Sequence, residues 1–288
     1  MSLYSVLDTS SSPGVSRNRG QILASNAFIK KRIDLNPGLV ILEIVPDGWR
    51  FNPFKSGQFV KVGLKINRDE VDQVELESFP TPSDKSLKRA YSIISRPSQV
   101  DSVDILVNLV PDGDFTPSLW RLDPGDRIYV DQKIRGTFTT EGVSRNSNVL
   151  MVATGTGIAP FRSMILDHQD TPIWKDVKLI HSVRHDEDLA FREEFESISE
   201  NNTNFHYLPI VTRPKAQNWT GETRHIQNVL SAEDSTCNLS NYLDIKNDHV
   251  FLCGNPMMIK SVSELFLEKG FRKATSGEGT LHFEKYWK

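Results

Sequence analysis

The stretch Val149–Pro160, VLMVATGTGIAP, places five apolar residues, Val149–Ala153, directly before a glycine-rich turn. A short run with no polar face suits a strand covered on both sides, as in a parallel sheet between layers of helices. Gly155 and Gly157 allow the backbone to approach a phosphate. Pro160 stands where the usual glycine fingerprint has its third glycine, and its preset φ suits a helix start, so the helix dipole points at the same spot. Downstream, Val177–Val183, Phe205–Val211 and His249–Cys253 read as further strands, with helices over about Leu189–Ile198 and Met257–Glu268. Strands alternating with helices predict an α/β domain with a mostly parallel sheet over residues 144–288.

Upstream the rhythm differs. Leu39–Val45, Gln58–Leu64, Tyr91–Ser95, Val103–Val110 and Arg127–Val130 are short β-rich runs separated by Pro and Gly. They predict an N-terminal antiparallel β-barrel over residues 21–143, with one short helix at Thr116–Leu122, Thr116 as its cap and Pro117 at its first position. The fold class is thus β followed by α/β, with the boundary in the polar stretch Glu141–Ser147. Residues 1–20, rich in Ser and lacking a signal-peptide pattern, read as a disordered tail. Residues 65–88 read as a long, largely acidic insertion with no core element.

A net charge of −3 argues against a nucleic-acid binder, and no apolar run approaches the ~20 residues of a membrane span. Cys237 and Cys253 sit in unlike surroundings and no Cys/His cluster has metal spacing, so neither a disulfide nor a metal is expected, and a cytoplasmic location is. Any redox chemistry must then come from an organic cofactor.

Six groups of residues could carry that chemistry. Arg89-Ala90-Tyr91-Ser92 opens a strand; alternation puts Arg89 and Tyr91 on one face and Ser92 on the other, a cation and a flat ring suited to a ligand with phosphate and a planar ring. Pro111–Pro117 is a turn feeding the short helix, whose free N–H groups suit an anion. The Ala153–Pro160 turn is the third. Val250–Met258 ends an apolar strand at Cys253 and Gly254, where ligands of open α/β sheets sit. Arg184, Arg213, Lys215 and Arg224 follow strands and suit an extra phosphate such as the 2′-phosphate of NADP. The last is Phe283–Lys288, with Tyr286 and Trp287 adjacent at the chain end. Each also has an ordinary structural reading: a surface arginine, a helix cap, a buried inert thiol, or a final strand packed on the core.

Taken in order, Gly57-Gln58-Phe59, RAYS, PDGDFT, ATGTGIAP, LCGNPMM and the tail EKYWK resemble the ferredoxin–NADP reductase family, most closely its bacterial type, over roughly residues 20–288. The resemblance implies an FAD enzyme that exchanges electrons between NADP(H) and ferredoxin or flavodoxin by hydride transfer to FAD, working as a monomer. It implies that Arg89, Ala90, Tyr91 and Ser92 bind FAD with Tyr91 stacked on the flavin. Val107, Asn108 and Leu109 would line the flavin through backbone contacts, and Gly113, Phe115 and Thr116 would hold the pyrophosphate. Thr156 and Gly157 would meet the nicotinamide, which Cys253, Gly254 and Met257 flank. Arg184 and Arg213, with Arg224, would grip the NADP adenosine phosphates. Tyr286 and Trp287 would cover the FAD, Tyr286 nearer the flavin ring and Trp287 nearer the adenine end. Ser92, Cys253 and Tyr286 would stand at the reacting ring. Arg224 departs from the pattern: Thr220-Gly221 is followed by Glu222, with the arginine displaced. An NADH-dependent flavin reductase of the cytochrome-reductase or oxygenase-reductase kind shares RxYS and GTGIxP, and a non-catalytic flavin-barrel regulator is a reading of another class. Comparing NADPH with NADH, and testing for bound FAD, separates the three.

Overall fold

In Leu39–Pro46 (β2), Val40, Leu42 and Ile44 are buried while Ile41, Glu43 and Val45 are only partly so, the alternation of a strand with one face on a core. The computed structural model describes residues 24–66, 85–168, 174–232, 242–275 and 279–286. β2 pairs with Ala27–Asn36 (β1) across the tight turn at Pro37-Gly38, where the Asn36 side chain accepts from the Gly38 N–H at 2.7 Å. β1 was not legible as a strand, because its stretch Lys30–Asp34 is charged and two register shifts break its period. Phe59–Ile66 (β3), Lys85–Ser92 (β4), Val103–Asn108 (β5) and Arg127–Val130 (β6) complete an antiparallel sheet of order β4-β3-β6-β1-β2-β5. Its outer strands, β4 and β5, meet at one antiparallel bridge, Ile93↔Ile105.

The expected insertion at 65–88 is shorter at both ends: Ile66 still pairs with Lys85, so β3 and β4 run into it, and residues 67–84 lie outside the described ones. The predicted tail 1–20 also lies outside them. The short helix is Thr116–Trp120 (α1); Phe115, not Thr116, stands at its N-cap position, and no side chain caps it. The Thr116 hydroxyl instead accepts from the Val110 N–H at 2.9 Å and donates to the Val110 carbonyl at 3.2 Å, folding the Pro111–Phe115 loop back on itself.

The second sheet is parallel throughout. Asn148–Thr154 (β7), Asp176–Val183 (β8), Phe205–Val211 (β9), His249–Gly254 (β10) and Leu281–Lys285 (β11) lie in the order β11-β10-β7-β8-β9. The helices are Ile158–His168 (α2), Arg192–Asn201 (α3), Ile226–Ser231 (α4) and Pro256–Glu268 (α5). α3 starts three residues later than its apolar spacing suggests, because Asp186–Asp188 forms a 3-10 turn and Phe191 takes φ +61° ahead of the helix. α4 was not expected, being one and a half turns; β11 is the final strand that was the ordinary structural reading of Phe283–Lys288, beginning two residues earlier.

One face of the parallel sheet, with α2 and α3 over it, shares a core with residues of the antiparallel half. Val149, Met151, Phe251 and Cys253 share a core with Leu39, Ile94, Leu106 and Phe138. The Phe138 ring lies 5.8 Å from Phe161 and 5.6 Å from Phe251. Phe161 and Phe251 are fully buried, and burial of such a side chain contributes roughly 1.5–3 kcal/mol. α2 adds polar ties: the Ser163 hydroxyl donates to the Ser95 carbonyl at 2.7 Å and Arg162 Nη1 to the Ile94 carbonyl at 3.0 Å. These ties hold the end of β4 against the helix that follows the glycine turn, so the two halves of the site are set relative to each other.

Candidate active site

Past the Ile93↔Ile105 bridge, β4 and β5 separate, and a cavity of about 580 Å³ occupies the opening. Arg89, Ala90, Tyr91 and Ser92 line one side, Leu106 and Asn108 another, and Gly113, Phe115 and Thr116 a third. Strict alternation would have put Ser92 on the far face from Tyr91. Both reach the cavity because β4 is an edge strand and the cavity runs along its end. The Tyr91 ring is half-buried, 6.3 Å from that of Phe115, and the Arg89 guanidinium lies 5.8 Å over Phe115. An aromatic wall, a cation and a rim of hydroxyl and amide groups match a flat heteroaromatic ring carrying phosphates, so these residues fit FAD. Val107 and Leu109 do not line the cavity: the Val107 side chain is buried in the sheet core, and the Leu109 N–H pairs with the Gly38 carbonyl.

A polar cluster closes the inner end. The Tyr286 hydroxyl donates to the Thr156 carbonyl at 2.8 Å and lies 3.4 Å from Ser92 Oγ, which is 3.4 Å from the Glu284 carboxylate. Burial pushes Glu284 up to about 7, which brings it to the midpoint of its titration at neutral pH. Tyr286 is raised by burial as well. Cys253 is a free, fully buried thiol behind this cluster, raised by burial. It belongs to the core and lines neither cavity, unlike the ligand-facing position read for it. Tyr286 follows a regular strand, β11, so the aromatic tail is anchored up to Lys285; Trp287 lies outside the described residues.

The glycine turn connects the two halves. Gly155–Gly157 forms a 3-10 turn leading into α2. A Cβ on Gly157 would strike the Cys253 carbonyl, so only glycine lets the turn approach the end of β10 this closely. Gly254 has φ +123°, and a Cβ there would press on Thr154. Thr154 Oγ1 accepts from the Asn255 N–H at 2.8 Å, and Asn255 caps α5 by accepting from the Met257 N–H at 2.8 Å.

A second cavity, about 700 Å³, shares Leu106, Asn108 and Thr156 with the first and continues along the carboxyl ends of β7, β8 and β9. Arg184, Arg213, His185, Thr212 and His225 line its far end, with Asp188 beside them. Among the described residues neither the Arg184 nor the Arg213 guanidinium is in an ion pair. Arg224 does not line it: its guanidinium is bound to Glu222 by three contacts of 2.7–3.1 Å, and that hydrogen bonding holds Glu222 down to about 2. Met257, 68 % exposed, lines a smaller neighbouring cavity with Thr154, His225 and Asn255.

The structure therefore gathers most of the expected residues into two joined cavities; Val107, Leu109, Gly157, Cys253, Gly254 and Arg224 do not line them, and Met257 lines only the smaller neighbouring one. Sequence reading missed Glu284, Thr154, His225 and Asn255. Thr154, Asn255 and Glu284 lie inside stretches already singled out but were given no role of their own; His225 is a single polar residue whose placement depends on the sheet order.

Comparison with known proteins gives consistent results. Residues 75–138 match the oxidoreductase FAD-binding domain family and residues 151–264 the oxidoreductase NAD-binding domain family. The flavodoxin/ferredoxin–NADP reductase of Escherichia coli is 30 % identical over 72 % of this chain and 77 % of that protein. The same-named protein of a Buchnera aphidicola strain is 27 % identical over 82 % and 89 %. A ferredoxin NADP+ reductase from Neisseria gonorrhoeae, solved with FAD and NADP bound, superposes with a TM-score of 0.76 at 25 % identity, covering 91 % of this chain and 98 % of that one.

Proposed function

The chain belongs to the flavodoxin/ferredoxin–NADP reductase family, and from that premise we propose how its residues divide the work. It is an FAD-dependent oxidoreductase that moves electrons between NADP(H) and a one-electron carrier, ferredoxin or flavodoxin. When bound, FAD exchanges two electrons with the nicotinamide and single electrons with the carrier. The observation that carries the division is the wall shared by the two cavities, Leu106, Asn108 and Thr156: a ring held in the first lies next to the entrance of the second. Residues 21–143 form the flavin half and 144–288 the nucleotide half, a division supported by sheet membership. A monomer in a reducing, cytoplasmic setting fits the buried free thiol of Cys253. No helix among the described residues is long and apolar enough to cross a membrane.

Tyr91 packs one face of the flavin ring and Arg89 meets its phosphates. Asn108, Gly113, Phe115 and Thr116 line the remaining wall. Ser92 and Glu284 hold a proton near the ring edge, and Thr156 with Gly157 receives the nicotinamide end of the nucleotide. Arg184 and Arg213 grip the adenosine phosphates. The direct test is the visible spectrum of the purified protein before and after NADPH: a flavin spectrum that bleaches is expected, and a colourless protein or a spectrum untouched by NADPH would refute the reading. Tyr91→Ala should weaken FAD retention about fivefold or more, since an aromatic stack contributes about 1 kcal/mol beyond area burial; unchanged affinity would remove Tyr91 from that role.

Tyr286 lines the same cavity as Tyr91 and is held there by its bond to the Thr156 carbonyl. In this reading Tyr286 covers the flavin and gives way when nicotinamide enters. A net hydrogen bond of about 1 kcal/mol biases the closed arrangement about fivefold. Deleting residues 286–288 should therefore tighten nicotinamide nucleotide binding by about that factor, loosen FAD and narrow the preference for NADPH. A truncated protein that is merely less stable, with its cofactor preference intact, would show the tail to be only packing.

A further inference from the structure

One buried titratable side chain touches the glycine turn from behind. His181, in the middle of β8, is 0 % exposed. Its Nε2 lies 3.0 Å from the Gly155 carbonyl, and its Nδ1 lies 3.5 Å from the Tyr207 hydroxyl. A carbonyl oxygen only accepts, so Nε2 carries the hydrogen, and Nδ1 is left as the acceptor for Tyr207. Burial lowers His181 to about 4, so the ring is neutral in this one tautomer at physiological pH.

The consequence follows from the planarity of the peptide. In a trans peptide the C=O and the next N–H point in opposite directions. With the Gly155 carbonyl drawn inward to His181, the Thr156 N–H of the same peptide points outward, to the side where Gly155 and Thr156 line the second cavity. A Cβ on Gly155 would meet nothing within 4 Å, so that side of the turn is open, and its φ of +53° suits glycine. The next carbonyl, of Thr156, is occupied in the same way by Tyr286 at 2.8 Å, and both carbonyls also accept from the Ile158 N–H. The negative ends of the turn's dipoles are thus turned away from the cavity and satisfied by side chains.

We infer that His181 is a positioning residue for the nucleotide phosphates: it fixes the Gly155–Thr156 peptide with its donor toward the cavity and its acceptor away from it. Without that bond only the Ile158 N–H holds the carbonyl, and the peptide can tilt so that its negative end comes closer to a phosphate in the cavity. The inference rests on the dinucleotide reading of the second cavity, and a protein whose spectrum NADPH does not bleach would fail that reading before this one is reached.

The test uses the FAD-loaded enzyme and two reductants, NADPH and N-benzyl-1,4-dihydronicotinamide, which has the reacting ring but no phosphate. His181→Leu keeps bulk and removes the donor. It should raise the KM for NADPH about tenfold with kcat within about twofold, and leave the rate with the phosphate-free reductant within about twofold. His181→Asn, smaller and polar but too short to reach Gly155, should give the same split and serves if the leucine variant does not fold. Equal losses with both reductants would show a general structural role and overturn the inference, as would an unchanged KM for NADPH in a folded variant.

Discussion

Glu284→Gln is expected to lower kcat about a hundredfold while leaving FAD bound. The buried carboxyl is held near 7 by desolvation, beside Ser92 Oγ and on the wall of the flavin cavity. A proton-transfer group works best when its pKa lies near the working pH, and loss of such a group typically costs 10²–10⁴ in rate, so about a hundredfold is the conservative figure. Glutamine keeps the size and the hydrogen bonding and removes only the titratable proton. The wild-type pH–rate profile should show a group near pH 7 that the variant lacks. A variant within threefold of wild type, with its profile intact, would dismiss Glu284 from proton transfer. Stability gives a second readout. Glu284 is raised above its ordinary 4.5, so the folded protein keeps a proton that the unfolded chain has lost. Its contribution is complete below about pH 4.5 and lost as pH rises to about 7. His181 and His282, both lowered by burial to about 4 from 6.5, act in the opposite sense: they stabilise above about 6.5 and are lost as pH falls toward 4. Each group changes the unfolding free energy by about 1.4 kcal/mol per pH unit within its window. Urea unfolding between pH 4.5 and 6.5 should therefore show a rise with pH that is steeper in Glu284→Gln than in wild type by about 1.4 kcal/mol per unit.

Arg213→Ala should raise the KM for NADPH about tenfold to a hundredfold and leave that for NADH within about twofold. A hydrogen bond to a charged group contributes about 1.5–3 kcal/mol, which is that range in binding. Arg213 lines the second cavity, and its loop is pinned there: its N–H donates to the Arg184 carbonyl at 2.8 Å, and its own carbonyl lies 2.8 Å from His185 Nδ1. The side chain is free to meet a phosphate while its backbone stays fixed. Arg224→Ala is the contrast. Its guanidinium is already bound to Glu222, so its loss should change the KM for NADPH by less than about threefold. Equal losses for NADPH and NADH in Arg213→Ala would mean that it supports the loop rather than the phosphate. A large effect in Arg224→Ala would mean that Glu222 gives it up when nucleotide binds.

The residues legible in advance were those whose local pattern carries its own physics. Val149–Ala153 had to be a covered strand because no side chain in it can face water, and the turn after it had to suit a phosphate because Gly155 and Gly157 allow close approach. Arg89 and Tyr91 were legible as neighbours on one face because side chains alternate along a strand, and as a ligand wall only through the ordered set of motifs they belong to. Cys253 depended on more than its neighbours: its position at a strand end suggested a ligand-facing thiol, and in the fold that thiol is buried against Tyr286 and Glu284 of the final strand and tail.

Local sequence was enough for the succession of an antiparallel half and a parallel half, because side-chain period and turn chemistry act over a few residues. It was silent about which strands become neighbours, because that depends on burial summed over the whole chain. β11 lies beside β10, and that one pairing brings Glu284 and Tyr286, nearly two hundred residues from Ser92, into a single polar cluster with it. The parallel register of β7 and β8 likewise places His181 opposite Ala153, under the carbonyl of Gly155. Glu284 acquires its shifted proton affinity, and His181 its single tautomer, from desolvation by residues remote in sequence, and no reading of nearest neighbours contains that term.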